Sequence, residues 1–245
     1  MVFKIKICET VVEIHSLHER VYKYCEGYTV EDAVPDFTVS ITSEDIEAER
    51  EYSHRDQCRQ GEIPVEFSDG TLETTAVYRK ICSQLISRDI FLMHGSVVAA
   101  DGAACIFIAP SGTGKTTHTR LWLKNIAGSY VVNGDKPLLK VTDHAVYASG
   151  TPWSGKERMQ VNESVPVKAI VLLERGAQNE IAEISFKEAL PVLLSQSYRN
   201  ADKMHMIKTV ELLERASRTI RLYRLKCNME DEAAIVAYNG IYKNN

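Results

Sequence analysis

No stretch of this chain approaches the run of about 20 apolar residues that a membrane-crossing helix needs. Integral membrane functions therefore drop out of the expectation. An excess of positive charge is also missing: 29 Lys and Arg stand against 33 Asp and Glu, for a net charge of −4. Without a global basic field, nucleic acid is not an expected partner. The six cysteines, at 8, 25, 58, 82, 105 and 227, include no CxxC pair. Cys8, Cys82 and Cys105 sit in apolar stretches where cysteine acts as a small hydrophobe. The first eight residues alternate like a strand and lack the apolar core of a secretory leader. No disulfide framework and a cytoplasmic location are the expectations. Internal repeats and low-complexity tracts are absent too.

What is present suits a globular protein. Across 245 residues, 44% are hydrophobic and 25% charged, enough for one large domain or a domain with a smaller companion. Residues 1–69 read as a small β-rich domain, with strands at Lys4–Cys8, Phe37–Ile41 and Ile63–Phe67. A short helix is expected over Ser43–Tyr52, with Ser43 as its cap, and a polar loop over Ser53–Glu62. A helix running from Thr71 to about Arg88 opens the second domain, residues 70–245. Strands Phe91–Ala99 and Ala103–Ala109 follow, joined at Asp101-Gly102, a dipeptide that suits the two positive φ angles of a type I′ hairpin. Further along, a helix is expected over Thr116–Ile126 and strands at Tyr130–Asn133, Pro137–Val141, Val146–Ser149 and Val167–Leu173. Helices near Phe186–Tyr198 and Met204–Arg215, a strand Thr219–Leu225 and a last helix from Glu230 complete the pattern. Strand–loop–helix units mixed with hairpins predict an α/β fold whose sheet is not purely parallel.

The chemistry concentrates in Ala109-Pro-Ser-Gly-Thr-Gly-Lys-Thr116, which fits the P-loop pattern except for Ala at its first position. Two glycines let successive backbone N–H groups turn inward as an anion nest, and the following helix adds the positive end of its dipole. Lys115 supplies a mobile charge to terminal phosphates, and the Thr116 hydroxyl can ligate Mg²⁺. The expected nucleotide contacts are Ser111, Gly112, Thr113, Gly114, Lys115, Thr116 and Thr117. A chance glycine-rich turn is the bland alternative, and the flanking apolar strand and helix argue against it. Val131-Val132-Asn133-Gly134-Asp135 places an acid at the end of an apolar strand, where it could ligate Mg²⁺ or accept a hydroxyl proton; an ordinary Asn-Gly turn is the competing reading.

Together, Phe91-Leu-Met-His-Gly-Ser-Val-Val98, the loop at 109–116 and Val132-Asn-Gly-Asp135 resemble the catalytic domain of HPr kinase/phosphorylase and its kinase-like relatives. Weaker matches are Gly150–Lys156 and the stretch Val165–Arg175, and the ATP-dependent phosphoenolpyruvate carboxykinases share a related core. The resemblance runs from about Phe91 to Asn228 and does not extend to the first 69 residues. It implies a P-loop core with a mixed sheet, ATP and Mg²⁺ as cofactors, and transfer of the γ-phosphoryl group to a hydroxyl acceptor. That acceptor is either a serine on a protein or peptide or a small metabolite. It also implies that His94 lies near the transferred group. In that family two consecutive acids end the strand after the P-loop helix; here the first of those positions is Gly134 and only Asp135 remains. Asp135 would then cover both roles, His94 would serve as base, or the protein would be a nucleotide-binding switch or scaffold with little catalysis. An NTPase using water is a third reading. The family's glutamate before its later glycine block is also missing, since Ser149 precedes Gly150.

Other residues carry paired readings. Trp153-Ser-Gly-Lys156 could close over phosphate with Lys156 as a second cation, or Trp153 could plug the core. His118 reads as an exposed helix residue, and Lys136 as pointing to solvent. His15 and His18 read as solvated rather than metal-binding, and Lys208–Arg218 as an amphipathic surface helix.

Overall fold

The structure is a computed structural model that describes all residues except 60, 62, 199–201 and 244–245. Its chain divides into two compact units, Met1–Gln84 and Leu85–Asn245.

The first unit holds a small sheet of its own. Strands β1 (Val2–Ile7) and β2 (Thr10–His15) form an antiparallel hairpin, flanked by β3 (Thr29–Val30) and β4 (Phe37–Ser40) in the order β3-β1-β2-β4. Ile5, Ile7, Val12, Ile14 and Val39 are buried on it. Around the sheet run the helices α1 (Glu19–Tyr24), α2 (Ser43–Arg59) and α3 (Asp69–Leu85). Two expectations are corrected here. The polar stretch from Ser53 is helix as far as Arg59, because α2 continues through it; Gln60 and Glu62 of the expected loop lie outside the described residues. The expected strand Ile63–Phe67 has no regular structure, and Ile63 and Val65 are exposed, so its apolar alternation meets no sheet. His15 and His18 each pair with a glutamate, Glu13 and Glu73 respectively. Buried Glu73 also accepts the N–H groups of Leu17 and His18, so His18 holds a turn in place.

The second unit is built on a mixed sheet. Its strands are β5 (Ile90–Leu92), β6 (Ser96–Ala100), β7 (Ala103–Ile108), β8 (Tyr130–Asn133), β9 (Leu138–Val141), β10 (Val146–Ser149), β11 (Ser164–Arg175), β12 (Glu180–Glu183) and β13 (Arg221–Cys227). They run in the order β5-β9-β10-β11-β7-β6-β8, with β13 on β11 and β12 on β13. β11 is parallel to both β7 and β13, and the other pairings are antiparallel. Length explains how β11 has room for three neighbours: its first residues pair β10, and those from Ala169 onward pair β13.

Four helices cover the two faces. α5 (Phe186–Gln196) and α6 (Lys203–Ser217) contribute Ala189, Leu193, Leu212, Leu213 and Ala216 to one core. α4 (Lys115–Asn125) and α7 (Glu232–Tyr238) contribute Trp122, Ala234 and Ala237 to the other. Alternate residues of β7 feed both cores: Ala104, Ile106 and Ile108 face one, Cys105 and Phe107 the other. A strand covered on both sides has no use for polar residues, which is why this stretch is apolar throughout. The β6–β7 hairpin turns at Asp101 and Gly102 with φ of 50° and 77°, as the dipeptide predicts. The expected strand Phe91–Ala99 is broken, however. β5 ends at Leu92 and β6 begins at Ser96; between them Met93 makes an isolated bridge to Ser197, and that break positions His94.

Candidate active site

The loop 109–114 leaves the carboxyl end of β7 and enters α4. Gly112 and Gly114 have φ of 74° and 124°, a region closed to most side chains, and a Cβ at either would meet nothing within 4 Å. The backbone therefore curls around open space. Lys115 starts α4 and folds its Nζ back to the Ala109 carbonyl at 2.8 Å, inside the curl. Burial pushes its ammonium below the ordinary lysine pKa, against the opposing pull of Asp135.

Opposite the loop stand His94 and Asp135. The backbone N–H of His94 donates to Gln196 O at 2.6 Å and that of Gly95 to Asp135 O at 2.9 Å, so the broken segment is tied directly to the turn after β8. The side chains meet as well, with His94 Nε2 3.0 Å from Asp135 Oδ1. Burial raises the Asp135 carboxyl. The His94 bond, with the charges of Lys136, His94 and Lys115, outweighs that and holds the group below the usual carboxylate value.

Asn133 shapes this turn. Fully buried, it accepts the N–H groups of Asp135 and Lys136 on Oδ1 at 2.9 and 2.8 Å and donates Nδ2 to Thr151 O and Oγ1, both at 3.1 Å. Thr151 Oγ1 in turn donates to Lys136 O at 2.9 Å. Gly134 is a packing requirement: a Cβ there would lie 2.9 Å from the Ser154 carbonyl oxygen, so the segment after β10 can close down on the turn only over a glycine. Its N–H bonds Met159 O at 3.0 Å.

These pieces enclose a cavity of about 540 Å³. It gathers His94, Ser111, Gly112, Gly114, Lys115, Thr116, Thr117, Asp135 and Lys156, so all the expected site residues except Thr113 share one wall-to-wall space. Thr113 faces the other side of the loop. Sequence reasoning missed Glu157 and Met159, which also line the cavity, and the Asn133–Thr151 pair beneath it. Glu157 is ion-paired with Arg120. The Asn-Gly signature marked the turn, but nothing in the sequence marked Thr151 as its partner. Trp153 is buried and plugs the core, whereas Lys156 is exposed at the cavity. His118, expected at the surface, is 3% exposed and packs edge-on against Phe107, because the first turn of α4 lies against β7.

None of the six cysteines is in a disulfide. Among the described residues, no helix is long and apolar enough to cross a membrane, and no three His, Cys, Asp or Glu gather as a metal cluster. The loop and its surroundings nevertheless suit a polyphosphate with a divalent cation. Open space lies where side chains of residues 112 and 114 would project, a lysine ammonium sits within the curl, and a hydroxyl and a carboxylate share the wall.

The matches among known proteins include a family and a solved structure. A family described as SynChlorMet cassette protein ScmC matches residues 69–238. Among solved structures, the HPr(Ser) kinase/phosphatase from Coxiella burnetii aligns with 62% of this chain and 97% of its own, at 10% identity and a TM-score of 0.36. No curated protein matches the chain.

Proposed function

For this chain, which belongs to the family of the SynChlorMet cassette protein ScmC, we propose an ATP-dependent phosphotransferase that moves the γ-phosphoryl group to a hydroxyl acceptor. The observation that carries the reading is the convergence of the glycine loop, Lys115 and the His94–Asp135 pair on one cavity. The sequence resemblance to the HPr kinase catalytic domain supports it. In this reading residues 109–116 are a P-loop. Backbone N–H groups of residues 111–117 and the ammonium groups of Lys115 and Lys156 hold the phosphates. Thr116 Oγ1 and Asp135 would hold Mg²⁺, which would supply charge neutralisation to the phosphates.

The acceptor oxygen forms a bond to the γ-phosphorus as the bond to the β,γ-bridging oxygen breaks. ADP leaves with that oxygen, and the acceptor proton passes to the His94–Asp135 pair. Asp135, kept ionised by its neighbours, orients the imidazole and offsets the charge it gains. Lys115 is well placed for the charge that gathers on the leaving oxygen, and positioning supplies most of the remaining acceleration. A serine on a protein or peptide and a small hydroxylated metabolite both fit the acceptor role.

Calorimetric titration of MgATP, followed by a labelled-phosphate transfer screen, tests this. Wild type binds, Lys115→Ala does not, and label appears on an acceptor. Failure of the wild type to bind any nucleotide sinks the reading. Binding without transfer favours a nucleotide-dependent switch, for which the glycine at 134, in place of a second acid, already speaks.

A further inference from the structure

The glycine loop has a second cavity on its other side, of about 520 Å³, within the roughly 300–1,000 Å³ of typical small-molecule sites. Gly112, Gly114 and Thr117 line both cavities, so the two meet around the loop. The second opens at the carboxyl ends of β11 and β13, where Leu173, Arg175, Cys227 and Met229 line it. In open α/β sheets this end of the parallel strands is where ligands bind.

The chemistry of the two cavities differs. The first carries lysines and an acid. The second also carries Glu174 and Arg175 but adds apolar surface: buried Leu173, Cys227, whose thiol burial pushes further from ionisation, and Met229, a large apolar side chain 77% exposed at the mouth. Arg175 lies over the loop, its guanidinium donating to Gly112 O at 2.6 Å and Thr113 O at 3.5 Å. That arrangement offers a planar cation on which a flat ring can stack.

His118, at the inner wall, adds direction. Trp122 Nε1–H can only donate, and it lies 3.1 Å from His118 Nε2. Nε2 is therefore the acceptor, and the ring proton resides on Nδ1. That N–H is buried and, among the described residues, has no hydrogen-bond partner. Buried donors are almost always satisfied, and an unpartnered one on a residue that lines a cavity asks for an acceptor from a ligand.

We propose that this second cavity receives the nucleoside of a purine nucleotide whose phosphates occupy the first, with the base stacked between Arg175 and Met229 and a ring acceptor directed at His118. A purine fits because it combines a flat apolar face with acceptor atoms on its edges. The proposal rests on the phosphate-loop reading above and extends it to the part of the ligand that such a loop does not read.

The test is calorimetric titration of the full chain with MgATP and, separately, with magnesium tripolyphosphate, which has the phosphates and no nucleoside. Wild type is compared with His118→Phe, which keeps an aromatic side chain and removes the Nδ1 donor together with the Nε2 acceptor of Trp122, and with Met229→Asp, a surface change that leaves the core intact. Wild type is expected to prefer MgATP, and each variant to lose roughly ten-fold in MgATP affinity with less than about two-fold change for tripolyphosphate. Lys115→Ala, in contrast, loses both ligands. Equal wild-type affinity for the two ligands overturns the nucleoside site while leaving the phosphate loop standing. So does unchanged MgATP binding in Met229→Asp, or parallel loss of both ligands in the two variants. If wild type binds neither ligand, the phosphate-loop reading fails and this one falls with it.

Discussion

At the scale of single residues, Asp135 and Gly134 have opposite sensitivities. Asp135 has a folded pKa below its ordinary 3.8, so the stabilisation from its partners is fully present above that value. It fades as pH falls through the lower folded value. Asp135→Asn should thus destabilise the protein at pH 7 and progressively less as pH falls below 3.8, as denaturant titrations across that range will report. The same substitution should lower phosphoryl transfer by about 10²–10⁴-fold if the carboxylate takes part in proton transfer. Gly134 invites the replacement that would restore two adjacent acids. The Ser154 carbonyl, 2.9 Å from where the new Cβ would lie, opposes it. Gly134→Asp should therefore cost about 1–3 kcal/mol in stability and bring no gain in transfer, measured by thermal melts beside the activity screen. A gain in activity would mark this chain as a decayed enzyme instead.

At the scale of elements, α4 couples a buried histidine to pH. Burial alone pushes His118 down to about 4 from an ordinary 6.5. Between those values the unfolded chain binds a proton that the folded chain refuses, so stability rises with pH across that window and levels above it. The swing is about 3 kcal/mol. His118→Phe should flatten that part of the stability–pH curve, which denaturant titrations at pH 4.5 and 7.5 will show. At the start of α5, Ser185 and Glu188 form a reciprocal cap: Ser185 Oγ accepts from Glu188 N, and Ser185 N donates to Glu188 Oε2. Ser185→Ala should cost about 1 kcal/mol, visible as a lowered melting temperature with nucleotide binding intact.

At the scale of the whole molecule, every residue lining the first cavity comes from the second compact unit. The family match, residues 69–238, also omits the small N-terminal sheet. A fragment of residues 69–245, which keeps α3 entire, should bind MgATP within about three-fold of the full chain if binding is a property of that unit. Calorimetry on the two proteins checks this, and loss of binding in a folded fragment would assign the small sheet a part in the site.

The sequence by itself determined the local features: the glycine loop between an apolar strand and a helix, the Asp101-Gly102 hairpin, and the unbroken apolar run of β7 that signals burial on both faces. Each is fixed by neighbours a few residues apart, through backbone sterics or side-chain period, so a linear pattern can carry it. Tertiary structure decided the rest. The interruption at 93–95 looks like continuous strand in sequence, and only its ties to Gln196 O and the Asp135 backbone bring His94 to the acid. Gly134 resembles a missing acid until the Ser154 carbonyl is seen above it. His118 resembles a surface residue until α4 is laid on the sheet and Phe107 covers the ring. These outcomes depend on contacts between residues far apart in the chain. Distant contacts answer to space filling and hydrogen-bond satisfaction, neither of which leaves a periodic mark in the sequence.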